Sequence, residues 1–382
     1  MKLSCQPDSL KIALKTAGPA VAKRATLPIL EHVMLSANGD GSLAVSATDL
    51  AVGIRTRILA KIDEPGMITV PARTLIDLVN VLPDERIDLE MNAETATLAL
   101  ACGRTKAHVK GMPGQEFPVI SDYSQEDGLP TLTIQPADLA KALSRTVFSA
   151  AGDDARPSLN CVYMHIADGK LAFASADGFR MSVQHTGIVA DFPDLLIPKA
   201  ALTEVQKLVA NESEPVRIVA NKVQDASQVA FIFSDTHLVA QLVPGRFPDY
   251  GQIIPEKHSV QITVSPSALH RAIKTALVFG KLSAGIVRWT LGDDQIVISG
   301  TNAETGDQTS TVPAEIEGAL DVPAGDESRF ALNGHYVLGM LAAMGSVSQV
   351  QITGTTPSCP FVVTTPEDEN YIHVMMPMHL GG

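Results

Sequence analysis

The sequence predicts an α+β fold made of three tandem copies of one domain, each with two helices set against antiparallel sheets. Three observations predict it. First, a short element recurs as "CQPDSL" (5–10), "IQPADL" (134–139) and "VSPSAL" (264–269), with Pro7, Pro136 and Pro266 about 130 residues apart. Each copy leads into an Ala- and Leu-rich stretch ("KIALKTAG", "AKALSRTV", "HRAIKTAL"). A proline in the first turn suits a strand-to-helix junction. Second, a strand, a Gly/Asp turn and a strand follow each time: "EHVMLSANGDGSLAVSATD", "NCVYMHIADGKLAFASADG" and "GIVRWTLGDDQIVISGTNA". Alternating apolar positions around such turns read as hairpins. Third, each copy has a second helical stretch ("VPARTLIDLVNVL", "IPKAALTEVQKLV", "ALNGHYVLGMLAAM"). It closes on an apolar-proline pair: Met112-Pro113, Val243-Pro244 and Met376-Pro377. Landmarks that keep one order and one spacing define a repeat. The polar joins "SDYSQEDGLP" (121–130) and "PEKHS" (255–259) set domains at 1–124, 125–255 and 256–382.

Composition narrows the function. Hydrophobic residues make up 45% of the 382, enough to bury several cores. No stretch approaches the ~20 apolar residues that span a bilayer. The start "MKLSCQPDSLKIALK" interrupts its apolar run with charge and has no small-residue cleavage pattern, so no signal peptide is expected. Cys5, Cys102, Cys161 and Cys359 are widely separated, with no CxxC pair. That favours a reducing cytoplasm over a disulfide or zinc framework. Phosphate-loop, HExxH, GxSxG and dinucleotide signatures are missing from the sequence. Asp49, Asp177 and Asn302 recur at one place in each copy, which suits a turn role better than a single active site. "LGDDQ" (291–295) reads as a turn, and His373 and His379 as solvent-facing strand residues. No catalytic, cofactor-binding or metal-binding residue is assigned.

The net charge is −13, from 42 acids against 29 bases. Even so, the first helix of every copy is free of acid. Residues 9–26 carry Lys11, Lys15, Lys23 and Arg24; residues 139–150 carry Lys141 and Arg145; residues 267–281 carry Arg271, Lys274 and Lys281. Spacings of i, i+4 and i, i+3 put each pair on one helix face. Leu10, Leu14 and Ala17 form the adjoining apolar stripe. Ordinary surface helices mix signs, so three equivalent basic faces point to one shared polyanion. Acids several Debye lengths away are screened. Phosphate backbone fits, and with aromatics at 4% duplex suits better than a stacked single strand.

The tail "YIHVMMPMHLGG" carries methionines where chain ends usually fray. It reads both as the last strand of the third copy and as an adaptable Met-rich gripping surface.

These residues resemble the beta subunit of bacterial DNA polymerase III, the sliding clamp, over essentially the whole chain. The specific segments are "RATLPIL" (24–30), "VPAR" (70–73), "SADGFRM" (175–181), "GRFPDY" (245–250) and "VMMPMHL" (374–380). The resemblance implies a head-to-tail homodimer whose six domains ring duplex DNA, with helices lining the hole. It also implies opening by a separate loader ATPase and a pocket between the second and third domains that takes Leu/Phe-anchored peptides of polymerases and repair factors. Carried over by motif, the pocket comprises Leu159, Ala176, Gly178, Phe179, Arg180, Met181, Pro248, Ile253, Pro360, Val374, Met376, Pro377 and Met378. With the family's help the DNA-facing set becomes Lys11, Lys15, Lys23, Arg24, Arg73, Lys141, Arg145, Arg156, Lys199, Arg271 and Lys274. The dimer edges fall at Ala107 and Val109 on one side and at Leu277 and Val278 on the other.

Departures from the family pattern are Arg156-Pro157-Ser158 in place of aromatics, Phe179 where His is frequent, the small Ala107, and Gly381-Gly382 after the usual final leucine (here Leu380). A clamp relative with a specialised resistance or repair role, and a ligand-binding or enzymatic repeat protein, are the alternative readings.

Overall fold

The structure is a computed structural model that describes residues 1–124, 128–153, 155–221, 227–280, 285–323 and 328–378. Lys281, His379, Leu380, Gly381 and Gly382, to which the sequence reading assigned features, lie outside the described residues.

Six helices form where the repeat places them: α1 (Pro7–Ala17), α2 (Ala72–Val81), α3 (Pro136–Thr146), α4 (Lys199–Val209), α5 (Pro266–Gly280) and α6 (Gly334–Met344). The α1 helix starts on Pro7, whose missing N–H costs nothing in a first turn, and buries Leu10, Ala13, Leu14 and Ala17. None of the helices among the described residues is long and apolar enough to cross a membrane.

Compactness divides the chain differently from the repeat. One unit is Met1–Ala140 with Ala200–Leu242; the other is Lys141–Lys199 with Val243–Gly382. In the first, a five-stranded antiparallel sheet runs in the order Lys61–Glu64, Lys2–Cys5, Ile87–Asn92, Thr97–Cys102, Thr105–Lys110. A nine-stranded sheet runs Met112–Pro113, Gly66–Pro71, His32–Ala37, Ser42–Thr48, Val52–Leu59, Thr236–Gln241, Gln228–Ile232, Val216–Asn221, Thr131–Ile134. The second unit holds one twelve-stranded sheet. Its order is Leu195–Pro198, Cys161–Ala167, Lys170–Ala176, Arg180–Val189, Asp368–Met375, Phe361–Thr365, Val350–Gly354, Val260–Val264, Gly306–Gly318, Gln295–Asn302, Ile286–Leu291, Arg329–Asn333. Its core gathers Trp289, Phe330, Phe361 and Tyr371, all fully buried.

Each unit contains a seam where the strand after a hairpin turn pairs with the last strand of the next repeat. In the first unit Val52 pairs with Ala240 and Thr56 with Thr236. In the second, Arg180 pairs with Met375 and Gln184 with Tyr371. The recurring turn residue sets both registers. The Asp49 carboxylate accepts from Ala51 and Val52 N–H, Asp177 from Phe179 and Arg180, and Asn302 from Glu304 and Thr305. The carbonyl of Ala51 then accepts from Gln241 N–H, and that of Phe179 from Met376 N–H, both at 2.8 Å.

The sheet registers place Met375 opposite the same point as Ala240, which corrects one landmark. Met376-Pro377 is not the structural counterpart of Val243-Pro244. Val243 N–H donates to Leu196 and Met378 N–H to Ala331, on equivalent strands, so the counterpart of Val243 is Met378, two residues beyond the landmark. A register shift between Val363 and Thr365 goes with this displacement. The last strand therefore ends at Met375, and the next three residues are tied down by the Met376 and Met378 amides.

The two seams are filled differently. In the second unit Asp368 pairs with Lys141 and with Arg145, whose guanidinium also donates to Gln184. Arg180 lies over the rings of Tyr336 (4.3 Å) and Phe148 (5.2 Å), and Phe148 stacks on His373. In the first unit the equivalent positions are Ile12 and Thr16 for Lys141 and Arg145, and Pro19, Val52 and Ala201 for Phe148, Arg180 and Tyr336. These side chains are smaller and uncharged, and a cleft of about 1040 Å³ stays open there, lined by Ile12, Thr16, Pro19 and Asp235 among others.

Two expectations from sequence change here. Arg145 is not a solvent-facing cation: it is buried, with its charge spent on Asp368. Nor does His373 face solvent. It is fully buried, its Nδ1 2.8 Å from Ser182 Oγ, because its strand is covered on both flanks and by Phe148.

Replacing Asp368 by Asn strands the Arg145 charge without a partner and should cost about 3 kcal/mol in urea unfolding. The joint change Arg145→Met with Asp368→Leu should recover most of it; an unaffected D368N protein would remove the ion pair from the stability of this seam. Burial, with Arg180 nearby, lowers His373 from 6.5 to about 3. The unfolded chain takes up that proton below about 6.5 and the folded chain does not until about 3. Stability therefore falls with pH through this window, by about 2 kcal/mol at pH 5. The melting temperature should drop between pH 7.5 and 5, and less so in His373→Gln.

Candidate functional site

An apolar cluster with exposed apolar neighbours forms on the second unit around its seam. The floor is Met181 paired with Val374, both buried, beside Ala174 and Val183, with Ala176 partly buried against them. One wall is the turn Asp177–Arg180. Gly178 has φ +92, a left-handed conformation that favours glycine, and the Arg156 guanidinium lies against it. Arg156 Nη2 donates to the Asp177 carbonyl at 3.0 Å, and Leu159 N–H to the Arg156 carbonyl, so the 156–159 loop is fastened to this rim. A second wall is the segment through Phe247, Pro248, Tyr250 and Ile253. The third is Met376-Pro377-Met378, beside Pro360, which precedes the Phe361 that pairs with Met375.

Exposure separates floor from rim: Leu159, Met181 and Val374 are buried, while Phe179, Ile253 and Met376 stand 58%, 42% and 39% exposed. Exposed apolar groups near a buried apolar cluster suit another chain's apolar side chains. Arg180 is not a free cation here. Its Nε bonds Asp177 at 3.0 Å, its Nη2 the Phe148 carbonyl at 2.8 Å, and its face covers two rings. Sequence reasoning missed the aromatic support of Tyr163, Phe247, Tyr250 and Tyr336. Phe247 and Tyr250 were inside the quoted "GRFPDY" and could have been found there; Tyr163 and Tyr336 had no such signal.

The proposed DNA-facing residues fall into three groups. Lys15, Lys23, Arg24, Arg73, Arg271 and Lys274 are exposed, Arg73 only loosely paired with Asp77 at 3.9 Å. Lys11 is half-buried with Asp8 at 3.8 Å, Lys141 is held by Asp368 at 2.5 Å, and Lys199 Nζ donates to the Ala150 carbonyl at 2.7 Å. Arg156 is exposed but belongs spatially to the pocket rim, and Arg145 is buried as described. At the two chain edges, Ala107 is half-buried and Val109 and Leu277 buried, whereas Val278 is 65% exposed.

Among the described residues no group of three or more His, Cys, Asp or Glu is placed to hold a metal ion. Burial pushes the thiols of Cys5 and Cys161 up to about 12, which makes poor nucleophiles of both.

Family comparison agrees along the length of the chain. Residues 1–121, 133–249 and 251–379 match the N-terminal, central and C-terminal domains of the DNA polymerase III beta subunit. The chain is 27% identical to the beta sliding clamp of Synechococcus elongatus over 388 residues, and 27% identical to that of Caulobacter vibrioides over 390, covering all of both partners. Among solved structures, the C. crescentus beta sliding clamp superimposes with a TM-score of 0.90 at 26% identity, over 100% of this chain and 99% of the other. The Thermotoga maritima beta subunit shares the fold, with a TM-score of 0.87 at 24% identity and 100% of both chains covered. With three domain matches in order and full-length relatives, this chain belongs to the DNA polymerase III beta subunit family, the non-catalytic beta sliding clamps.

Proposed function

We propose that two copies join head to tail, encircle duplex DNA, and hold polymerase and repair proteins by short Leu/Phe-anchored peptides in the pocket. A loader ATPase would open the ring, in the cytoplasm. The observation that carries this reading is an unfilled third seam. Within the chain, the strand after the Asp49 turn and the strand after the Asp177 turn each receive the last strand of the following repeat. After the Asn302 turn, residues 306–313 pair with Gln295–Asn302, and among the described strands none covers their other side. The corresponding last strand of the first repeat, Thr105–Lys110, ends its own sheet, paired only with Thr97–Cys102 among the described strands.

The two seams that exist predict the register of the third. Val109 corresponds to Ala240 and Met375, and Thr305 to Val52 and Arg180. A second copy would therefore set its Val109 opposite Thr305 and its Ala107 opposite Asp307. Phe148 covers His373 in the second unit; Val278 and Ala107 hold those places here, which supports a partner's Ala107 strand as the cover for the exposed Val278. The domain limits 1–124, 125–255 and 256–382 fit this assembly, each domain ending in the strand that completes the seam before it.

Exposed cations on first helices (Lys15, Arg271, Lys274), with Lys23, Arg24 and Arg73, supply a sequence-independent phosphate surface. Two buried peptide anchors at ~1.5–3 kcal/mol each, less the ordering cost, give roughly micromolar affinity, which suits exchange of partners. Phe179, apolar and exposed where the family often has His, favours a second reading in which the ring serves a specialised partner set.

Sedimentation with small-angle scattering should show a hollow particle of twice the 40.4 kDa chain mass. Val278→Asp should shift it to monomer; a compact monomer for the unaltered protein at every concentration would overturn the ring. Reversing Lys15, Arg24, Arg271 and Lys274 to Glu should leave the dimer intact and weaken loading onto primed circular DNA at least tenfold near 0.1 M salt. Loading equal to the parent protein would remove these residues from the DNA surface.

A further inference from the structure

Behind the pocket wall that contains Phe247 and Tyr250 lies a small polar-aromatic relay. We propose that His165 and Tyr163, acting through Tyr250 and Phe247, are positioning residues that hold the Pro248–Ile253 wall at the spacing a partner peptide needs. This rests on the peptide pocket proposed above and names what sets its width.

The wall segment is short of regular structure. It is a single turn of 3₁₀ helix, Tyr250–Ile253, started by the Asp249 carboxylate accepting from Gly251 N–H. Pro248 and Ile253 face solvent at the pocket, so neither can anchor the segment. The anchors are the two aromatic residues between and beside them. Phe247 stacks on Tyr163 with centroids 5.3 Å apart. Tyr250 sets its edge against His165 at 5.6 Å, and its hydroxyl lies 2.9 Å from His165 Nε2. Tyr163 and His165 are stacked at 4.2 Å and only 2° from parallel, side by side on one face of their strand. The Tyr163 hydroxyl donates to Asp194 at 2.6 Å, which fixes that ring.

His165 is 93% buried, and its Nε2 lies 2.9 Å from the Tyr250 hydroxyl. A buried imidazole that bonds a surface segment serves its placement, since a carbon side chain would fill the core at lower desolvation cost. Met181 and Val374, the floor, belong to the same apolar cluster as Tyr163, Phe247 and Tyr250. Loss of the bond therefore lets the wall slide relative to the floor while the sheet beneath stays put.

The test is fluorescence anisotropy of a labelled peptide with Leu and Phe anchors on the full-length protein, with melting temperature in parallel. Tyr250→Phe removes one oxygen and should weaken the peptide about five- to tenfold with little change in melting temperature. His165→Gln keeps a polar atom near Nε2 and should retain most of the affinity, whereas His165→Ala should lose it. Combining His165→Ala with Tyr250→Phe should cost no more than the larger single loss, because both break one bond. Tyr250→Phe binding as tightly as the parent, or additive losses in the double variant, would overturn the relay. If the parent protein itself fails to bind, the pocket reading falls, and the relay with it.

Discussion

Main-chain hydrogen bonding across the seams is the constraint on which the rest of this molecule depends. A repeat of this size exposes two raw sheet edges, and exposed edges invite wrong partners. Here one repeat's hairpin strand accepts the next repeat's last strand, so the edge is consumed inside the chain. The turn residue before each hairpin strand does the aligning. Asp49 and Asp177 turn the backbone so that one carbonyl, of Ala51 or Phe179, points at an amide of the incoming strand. Register follows from that point, and with it which side chains meet. The pocket floor exists only because Met181 and Val374 are brought opposite one another.

Backbone pairing is common to both seams, so their difference lies entirely in side chains. Where the second unit inserts Phe148, Arg180 and Tyr336, with Asp368 between two cations, the first unit has Pro19, Val52 and Ala201, with Ile12 and Thr16. One seam is packed and ionically fastened, and the other is hollow. The fastened one carries the proposed peptide pocket. A site that must keep fixed spacing between a turn, a tail and a wall segment gains from a stiff base, and the buried carboxylate with its two cations supplies one. The desolvation cost of such a cluster makes it a poor route to stability alone.

Much of this was legible in the residues, and the illegible parts share a cause. Helices and hairpins could be placed because prolines and Gly/Asp turns recur at one spacing, and local chemistry specifies them. The turn role of Asp49, Asp177 and Asn302 was legible because three copies repeat it. Arg145 was misread because the stretch after Asp138 carries no acid and its counter-ion lies 223 residues away. His373 was misread because a last strand was taken to have one wet face, whereas this one is enclosed by strands on both flanks and by Phe148. The two-residue displacement of the tail comes from a bulge that no motif announces. Pocket residues came from family resemblance, and their aromatic backing came only from the fold.

The discontinuity of the second unit has a consequence for how the protein is made. The first unit is complete once residue 242 has been synthesised, so it can close while translation continues. The second unites Lys141–Lys199 with everything after residue 243, and its central strand pair needs Asp368–Met375. Until Asp368–Met375 have been synthesised, Arg145 lacks the Asp368 carboxylate and the Arg180–Val189 strand lacks this neighbour. Residues 141–199 thus wait, as an unfinished half-sheet exposed to mispairing, while residues 200–367 are made. The strand Asp368–Met375 therefore closes the second unit in time as well as in space.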